Sequence, residues 1–477
     1  MQHKKNNIYK KGSQQKLFLF AFNIIKQLLL SFLFLGMTAC SDFVEVDPPQ
    51  NTLISETVFN DPETVKSALA NLYYNMREEG MVSGNSGLSV LMSTYTDELD
   101  YYSFSTAELE MFNHNVTATN AVILSWWNSA YNLIYAANDI IEGLENTTSF
   151  SLEELEKFKG QALFMRAYVH SLLASIFGNV PYITSTSYIE NNKVTRMPVD
   201  IVYENSITDL KQAVNLLDDT DTTGAHLLPN KSVANALLAR LYLYTENWGQ
   251  AEATATKLID SYSLEPNINK VFLKGSTETL WQFKPNGTTH MNTYEANQLI
   301  IRVIPGQSYA LNDNLLNAFE AGDLRSTNWI GSTTSADGLT TLQYANKYKA
   351  LFTETQSLEH SIIFRLTEQY LIRAESKAHL GDILGAQQDL NRIRNRAGLA
   401  DTVANSTTDL LEAVLQERHV ELFTEHGHRW FDLKRMSKAN EVLSSIKTNW
   451  KSTDILLPIP DNELELNPNL KPQNDGY

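Results

Sequence analysis

The chain has 477 residues, 43% of them hydrophobic, with one cysteine and 55 acidic side chains against 38 Lys and Arg, a formal net charge of −17. That charge sets the surface against nucleic acid and anionic headgroups, so a neutral ligand is expected and no nucleic-acid partner. A lone cysteine excludes a disulfide within the chain, and the apolar content suffices for a core in one large domain or two close ones.

Lys4, Lys5, Lys10, Lys11, Lys16 and Lys26 precede the first acid, Asp42, and the apolar run Leu28 to Met37 leads into Thr38-Ala39-Cys40. Basic, apolar and small-residue segments in that order make a secretory signal. Lys26-Gln27 divides that run from Leu17 to Ile25, and each half is too short to span a bilayer, which takes ~20 apolar residues. Leu35-Gly36-Met37-Thr38-Ala39-Cys40 resembles the lipobox of bacterial lipoproteins, with Met37 where Leu is usual. Residues 1–39 are therefore expected to leave as a signal peptide. Their six lysines go with them, taking the formal charge from −17 to −23, and Cys40 becomes the lipid attachment. Ser41, Asp42 and Glu45 follow at once and resemble a surface-export signal. The expected location is the outer membrane, lipid-anchored and facing the cell exterior.

Beyond the anchor most of the chain reads at helical period. Asp61 caps a helix with Pro62 at its first position, and Val65, Leu69, Leu72 and Met76 follow before Gly80. Ile123, Trp126, Trp127, Ala130, Tyr131, Ile134, Ala137, Ile141 and Leu144 form one apolar face of a second helix. Ser151 with Glu154 makes a capping box that opens a third, running to about Phe177 and stopped by Gly178. Pro198 opens a fourth that runs through Leu217.

Two later segments repeat one another. Ala239, Ala251, Ala255 and Leu258 share offsets with Ala374, Ala386, Leu390 and Ile393, around the turns Asn247-Trp248-Gly249 and Leu380-Gly381-Asp382. Small residues at helix crossings with a short turn are the pattern of tetratricopeptide-like pairs. The copies lie 135 residues apart, so a bundle of such pairs is expected rather than a regular solenoid. Irregular chain concentrates at about 81–120 and 262–350, the second with strand-like pieces at Leu280 to Phe283 and Gln298 to Ile304. Long loops in a helical protein tend to carry function.

The densest charge cluster runs from Glu417 to Arg435, with Arg418, Glu421, Glu425, Arg429 and Asp432 three or four apart. On one helix that spacing makes an ion-pair ladder. Paired carboxylates also serve glycoside hydrolysis, but each here has an arginine in reach, which favours structure. His426 and His428 stand near Glu425 without a further cluster to complete a metal shell, so no metal site is expected. No Walker loop, GxGxxG, GxSxG or HExxH motif is present, and no cofactor is expected.

Cys40 to Pro49, then Arg166-Ala167-Tyr168 and Phe177-Gly178-Asn179-Val180-Pro181-Tyr182, resemble the opening half of the SusD/RagB family of outer-membrane nutrient-binding lipoproteins. Ala234 to Trp248, Tyr370 to Glu375, Asn391 to Arg394, Arg429 to Arg435, Leu456 to Pro460 and Asn467 to Leu470, with Gln473 to Tyr477 at the terminus, continue the resemblance in order over nearly all of the chain after Cys40. The resemblance implies a mostly α fold over 40–477. Tetratricopeptide-like pairs would be its scaffold, and the two irregular regions its variable ligand loops with short strands. It further implies glycan binding without chemistry, and a TonB-dependent barrel of the SusC type as partner. Sugar capture uses flat aromatic faces with amide, carboxylate and guanidinium partners. On that ground Tyr101, Tyr102 and Phe104 in the first loop and Tyr294, Tyr309 and Trp329 in the second are the expected contacts, with the two loops meeting in space. Trp248 and Trp281 belong to the fold. Two rival readings are a surface glycoside hydrolase, which turnover of an oligosaccharide would favour, and a helical-repeat assembly factor that binds only protein.

Overall fold

The computed structural model of the protein describes residues 59–78, 80–145 and 147–477; Cys40 and the expected signal peptide lie outside them. Within them the helices start where their caps are. Asp61 accepts the Glu63 N–H at 2.9 Å, and α1 (Pro62–Glu78) buries Val65, Leu69, Leu72, Tyr73 and Met76. The region expected to be irregular from 81 to 120 instead holds α2 (Leu88–Tyr95), β1 (Leu99–Tyr101) and α3 (Thr106–Asn113). Every residue of α2 is buried. Apolar residues all round a short helix give no amphipathic period, which is why the sequence hides it.

The Asn120 carboxamide oxygen takes the Val122 N–H at 2.9 Å, starting α4 (Ala121–Glu145), whose buried face carries Ile123, Trp126, Trp127, Ala130, Ile134, Ala137, Ile141 and Leu144. The Ser151–Glu154 capping box opens α5 (Leu152–Phe177), and Gly178 with φ 77° ends it. After the short α6 (Tyr188–Asn191), Pro198 starts α7 (Val199–Leu216).

The repeat is real and continuous in space. One copy is α8 (Lys231–Tyr244) and α9 (Trp248–Ser261), the other α13 (Leu366–His379) and α14 (Ile383–Arg396), and α9 packs directly against α13. Ala239, Ala251, Ala255, Ala374, Ala386, Leu390 and Ile393 are all fully buried. Trp248 stacks on His379 with ring centroids 3.8 Å apart. Helices α4, α5, α7, α8, α9, α13 and α14 thus form one series of neighbours, and the chain between the copies leaves the series and returns.

That excursion is more ordered than expected. It contains β2 (Thr279–Phe283), α10 (Tyr294–Leu299), β3 (Tyr309–Leu311), α11 (Asp313–Ala318), α12 (Leu324–Asn328), β4 (Ile330–Thr334), β5 (Thr341–Ala345) and β6 (Ser361–Arg365). Three antiparallel pairs form, β1 with β3, β2 with β6 and β4 with β5. Leu280 to Phe283 is a strand as expected, with Trp281 in the core. Gln298 to Ile304 is not: the Thr293 hydroxyl caps α10 through the Ala296 N–H, and Ile301 and Ile304 then pack on Ala310.

The C-terminal part comprises α15 (Thr407–Leu422), α16 (His428–Arg435), α17 (Ala439–Leu443) and α18 (Asp461–Leu466). The expected ladder on one helix is replaced here by something different. Thr424, His426 and Gly427 adopt left-handed φ of 54°, 42° and 74° and break the helix. Arg418 therefore meets Asp432 at 2.7 Å, and Arg429 reaches Asp97 at 2.6 Å. Glu421 is fully buried and pairs with Arg325 at 2.9 Å, Arg365 at 2.7 Å and Arg396. Glu425 takes Arg365 at 2.8 Å and Lys347 at 2.5 Å, and Glu278 pairs with Arg365 and Arg396. A buried, charge-compensated network ties β6, α12, α14 and α15 together. His426 Nε2 lies 2.7 Å from the Ile362 carbonyl, and burial pushes the His428 imidazole well below its ordinary pKa. Among the described residues no group of three or more His, Cys, Asp or Glu is placed to hold a metal.

Candidate functional site

The two loop regions meet. Leu99 to Tyr101 pairs with Tyr309 to Leu311, the Tyr102 N–H donates to the Ser308 carbonyl at 2.8 Å, and Gln298 Nε2 donates to Asn85 Oδ1 at 2.6 Å. Chain segments some 200 positions apart (|i−j| of 201 for Tyr309 and Glu108) thereby share one edge of the molecule.

The expected contact residues divide on this edge. Tyr101 and Tyr309 sit on opposite strands with ring centroids 5.4 Å apart and are buried. The Tyr309 hydroxyl donates to Glu108 at 2.7 Å, and the Tyr101 hydroxyl accepts the Ser105 N–H at 3.1 Å. Trp329 is 1% exposed. Its indole N–H donates to the Ile268 carbonyl at 3.0 Å, with Phe272 edge-on at 5.3 Å and the Lys347 ammonium over the ring. These three aromatics are pillars of the loop fold rather than an open platform, because all three are buried and hold loop partners by their rings and hydrogen bonds. Tyr102 and Phe104 stay open, at 42% and 91% exposure.

Tyr294 belongs to a second cluster on the same edge, at the last turn of α1. Val65, Leu69, Leu72 and Met76 fix the buried stripe of that helix, and Tyr73 joins it, its hydroxyl donating to Gln161 at 3.2 Å. Tyr74, one position on, is turned about 100° away by the helical pitch and is 45% exposed. The Arg77 guanidinium lies 5.0 Å from its ring centroid and is braced by the Lys284 carbonyl at 2.6 Å. The Glu78 carboxylate takes the Tyr294 hydroxyl at 2.5 Å. His290 stacks on Phe352 at 4.4 Å, and Tyr294 meets Phe352 edge-on.

Between α1 and the 284–293 loop runs a groove of about 520 Å³, lined by Tyr74, Arg77, Gln282, Lys284, Asn286 and Thr288 among others. The loop holds its own shape: the Asn286 carboxamide oxygen accepts the N–H groups of Thr288 and Thr289 at 3.0 Å, and Gly287 supplies the left-handed φ of 76° this turn needs. Gln282, wholly buried in β2, gives both of its amide hydrogens to the Ala225 and Lys274 carbonyls and so braces the floor of the groove. Burial pushes the Tyr294 phenol up, and the bond to Glu78 adds to it, so Tyr294 remains a neutral donor. Burial pushes the His290 imidazole down against the pull of Glu78. The groove thus joins an exposed aromatic face to fixed amide, hydroxyl and guanidinium groups, the set that engages a polyhydroxylated ring.

Sequence reasoning placed Tyr294 among its candidates and did not include Tyr74 and Arg77. The signal was the Tyr73-Tyr74 doublet: on a helix whose apolar stripe is already fixed, only one of two adjacent tyrosines can face inward.

Comparison with known proteins agrees with this architecture. A family model described as starch-binding and associating with the outer membrane matches residues 42–243, and a model of the SusD family matches residues 283–477. SusD-like protein P2 of Formosa agariphila is 26% identical over 506 residues, covering 93% of this chain and 98% of that protein. A SusD-like protein of Bacteroides ovatus is 22% identical, covering 92% and 88%. Among solved structures, a SusD superfamily protein from Bacteroides vulgatus superposes with a TM-score of 0.78 at 21% identity, covering 88% of this chain and all of that one. A laminarin-binding SusD-like protein does so at 0.75 and 23%, with 88% and 100% covered. With SusD family models matching residues 42–243 and 283–477, and SusD-like relatives aligned over more than nine-tenths of its length, the chain belongs to the SusD family.

Proposed function

We propose that this protein captures neutral glycan at the cell surface and hands it, uncut, to a TonB-dependent importer of the SusC type, while Cys40 anchors it to the outer membrane by lipid. The observation that carries the capture reading is the exposed Tyr74 face with Arg77 beside it, at the mouth of a groove lined by Gln282, Asn286 and Thr288. A pyranose ring lays its C–H face on an aromatic ring and directs its hydroxyls sideways to such groups. The acidic surface favours a neutral ligand over a sulfated or uronic one. Relatives described as carbohydrate-binding, one of them laminarin-binding, support the ligand class and make laminarin the first probe. Tyr102 and Phe104, exposed on the same edge, are proposed to extend the contact to longer chains.

The test is affinity electrophoresis of the purified mature chain through gels holding laminarin or other soluble neutral glucans, mannans and xylans, with chain lengths of the glycan measured after incubation. Retardation with unchanged chain lengths is expected. Shortened chains would replace this reading by that of a surface glycoside hydrolase, and no retardation by any glycan by that of a protein-binding assembly factor.

A further inference from the structure

A second groove, lined by no residue of α1, lies between α4, the 181–194 segment that carries α6, and the C-terminal α18 with the turn after it. It encloses about 400 Å³, with Trp127, Ile183 and Leu470 among its apolar lining. Tyr135 and Tyr188 stand at its rim, 52% and 76% exposed, on walls from two different elements. Asn132 and Asn192 also line it.

The walls are fixed before any ligand arrives. Tyr131 donates its hydroxyl to the Pro181 carbonyl at 3.0 Å, and Asn138 donates to the Ile183 carbonyl at 3.1 Å. The Ile183 N–H donates to His170 Nε2 at 3.0 Å, and the Thr186 N–H to Glu142 at 3.0 Å. From the third side Asn467 donates to the Val194 carbonyl at 2.9 Å. Three separate elements are therefore locked into one concave surface, which lowers the entropy cost of binding there.

Glu463, another lining residue, makes no ion pair among the described residues. Burial pushes its carboxyl up, and the Trp127 indole N–H beside it pulls the other way. An apolar occupant would strip water from that carboxyl and leave it the Trp127 indole N–H alone, at a cost in free energy. A saccharide avoids the cost, because its hydroxyls pair with Glu463, Asn132 and Asn192 while its C–H faces meet the tyrosine rings.

We propose that this groove is a second saccharide site, seating a short stretch of neutral glycan between Tyr135 and Tyr188 with its hydroxyls on Glu463, Asn132 and Asn192. It rests on the capture reading for its ligand class, and it adds that one polysaccharide chain is held at two places on the same molecule. Two linked contacts raise retention on a long chain well beyond either contact alone.

The experiment is calorimetric titration of the purified mature chain with the neutral glycan that binds it best, laminarin first, beside Tyr74→Ala, the double variant Tyr135→Ala with Tyr188→Ala, and the triple variant. Both rim tyrosines are exposed, so their removal is expected to leave the melting temperature within a degree or two of the parent. The proposal expects two binding events in the parent, one in Tyr74→Ala, one in the rim double variant and none in the triple. Retention of the rim variant in a glycan gel should fall at least threefold. A single event that Tyr74→Ala abolishes and the rim variant leaves untouched would overturn the second site, keep the capture reading and leave the groove to a protein partner. Absence of binding by the parent to every neutral glycan tried would overturn both.

Discussion

Replacing Glu421 by alanine is expected to remove about 3–5 kcal/mol of folding stability, the usual cost of taking one partner out of a buried charge network. Glu421 is 0% exposed, and it compensates three guanidiniums at once, those of Arg325, Arg365 and Arg396. Its removal leaves Arg365 with Glu278 and Glu425, and Arg325 with Asp323 and Glu417, so positive charge is left in excess in a dry interior. Burial alone would raise the Glu421 pKa, but the three arginines more than offset it and hold the carboxyl well below its ordinary range. Its contribution is therefore complete above the unfolded carboxylate pKa of about 4.3 and fades as pH falls below that toward the folded value. Urea titrations at pH 7 and at pH 3.5 check both parts: the deficit of Glu421→Ala against the parent should be large at pH 7 and smaller at pH 3.5. A midpoint at pH 7 equal to the parent's would show that the network does not hold these elements together.

Cys40→Ala, carried behind a secretory signal whose removal does not need the cysteine, is expected to move the protein from the membrane fraction to the soluble fraction entirely. No helix among the described residues is long and apolar enough to cross a membrane, and the proposed acyl chains supply ~0.8 kcal/mol per buried methylene. With the sulfur gone nothing else in the proposed arrangement grips lipid. Fractionation should be done in cells lacking the SusC-type partner, so that retention through the barrel does not mask the release. Membrane retention there would contradict the lipoprotein reading.

The helical scaffold was legible because its elements announce themselves locally. Asp61-Pro62, the Ser151–Glu154 box and the alanines of the two repeats each act within a few residues of chain, and each stands where its chemistry puts it. The stretches that carried the family resemblance turn out to be structural. Arg166 is locked to Asp209 by two hydrogen bonds, Arg373 to Asp389, and Arg429 to Asp97. A motif of this kind reports the fold and says little about the ligand.

The candidate site was legible only in part. Composition located the loops and their meeting, but not which aromatics they leave open. Trp329 and Tyr309 look identical to surface tyrosines and tryptophans in sequence, and only β1–β3 pairing and the Ile268 carbonyl put them inside. The ladder failed for a similar reason. Spacings of three and four promise local pairs only if the helix continues, and left-handed residues at 424 and 426 sent the same charges to partners dozens to hundreds of positions away.

The most direct test of glycan capture at the α1 groove is the affinity of Tyr74→Ala for short laminarin fragments, measured by calorimetry against the parent and with the melting temperature of each recorded. Tyr74 is 45% exposed and stands outside the buried stripe of α1. The account predicts affinity at least about tenfold weaker at that groove, or ~1.4 kcal/mol, with an unchanged melting temperature. A variant that binds those fragments as tightly as the parent, with the same number of sites, would contradict it.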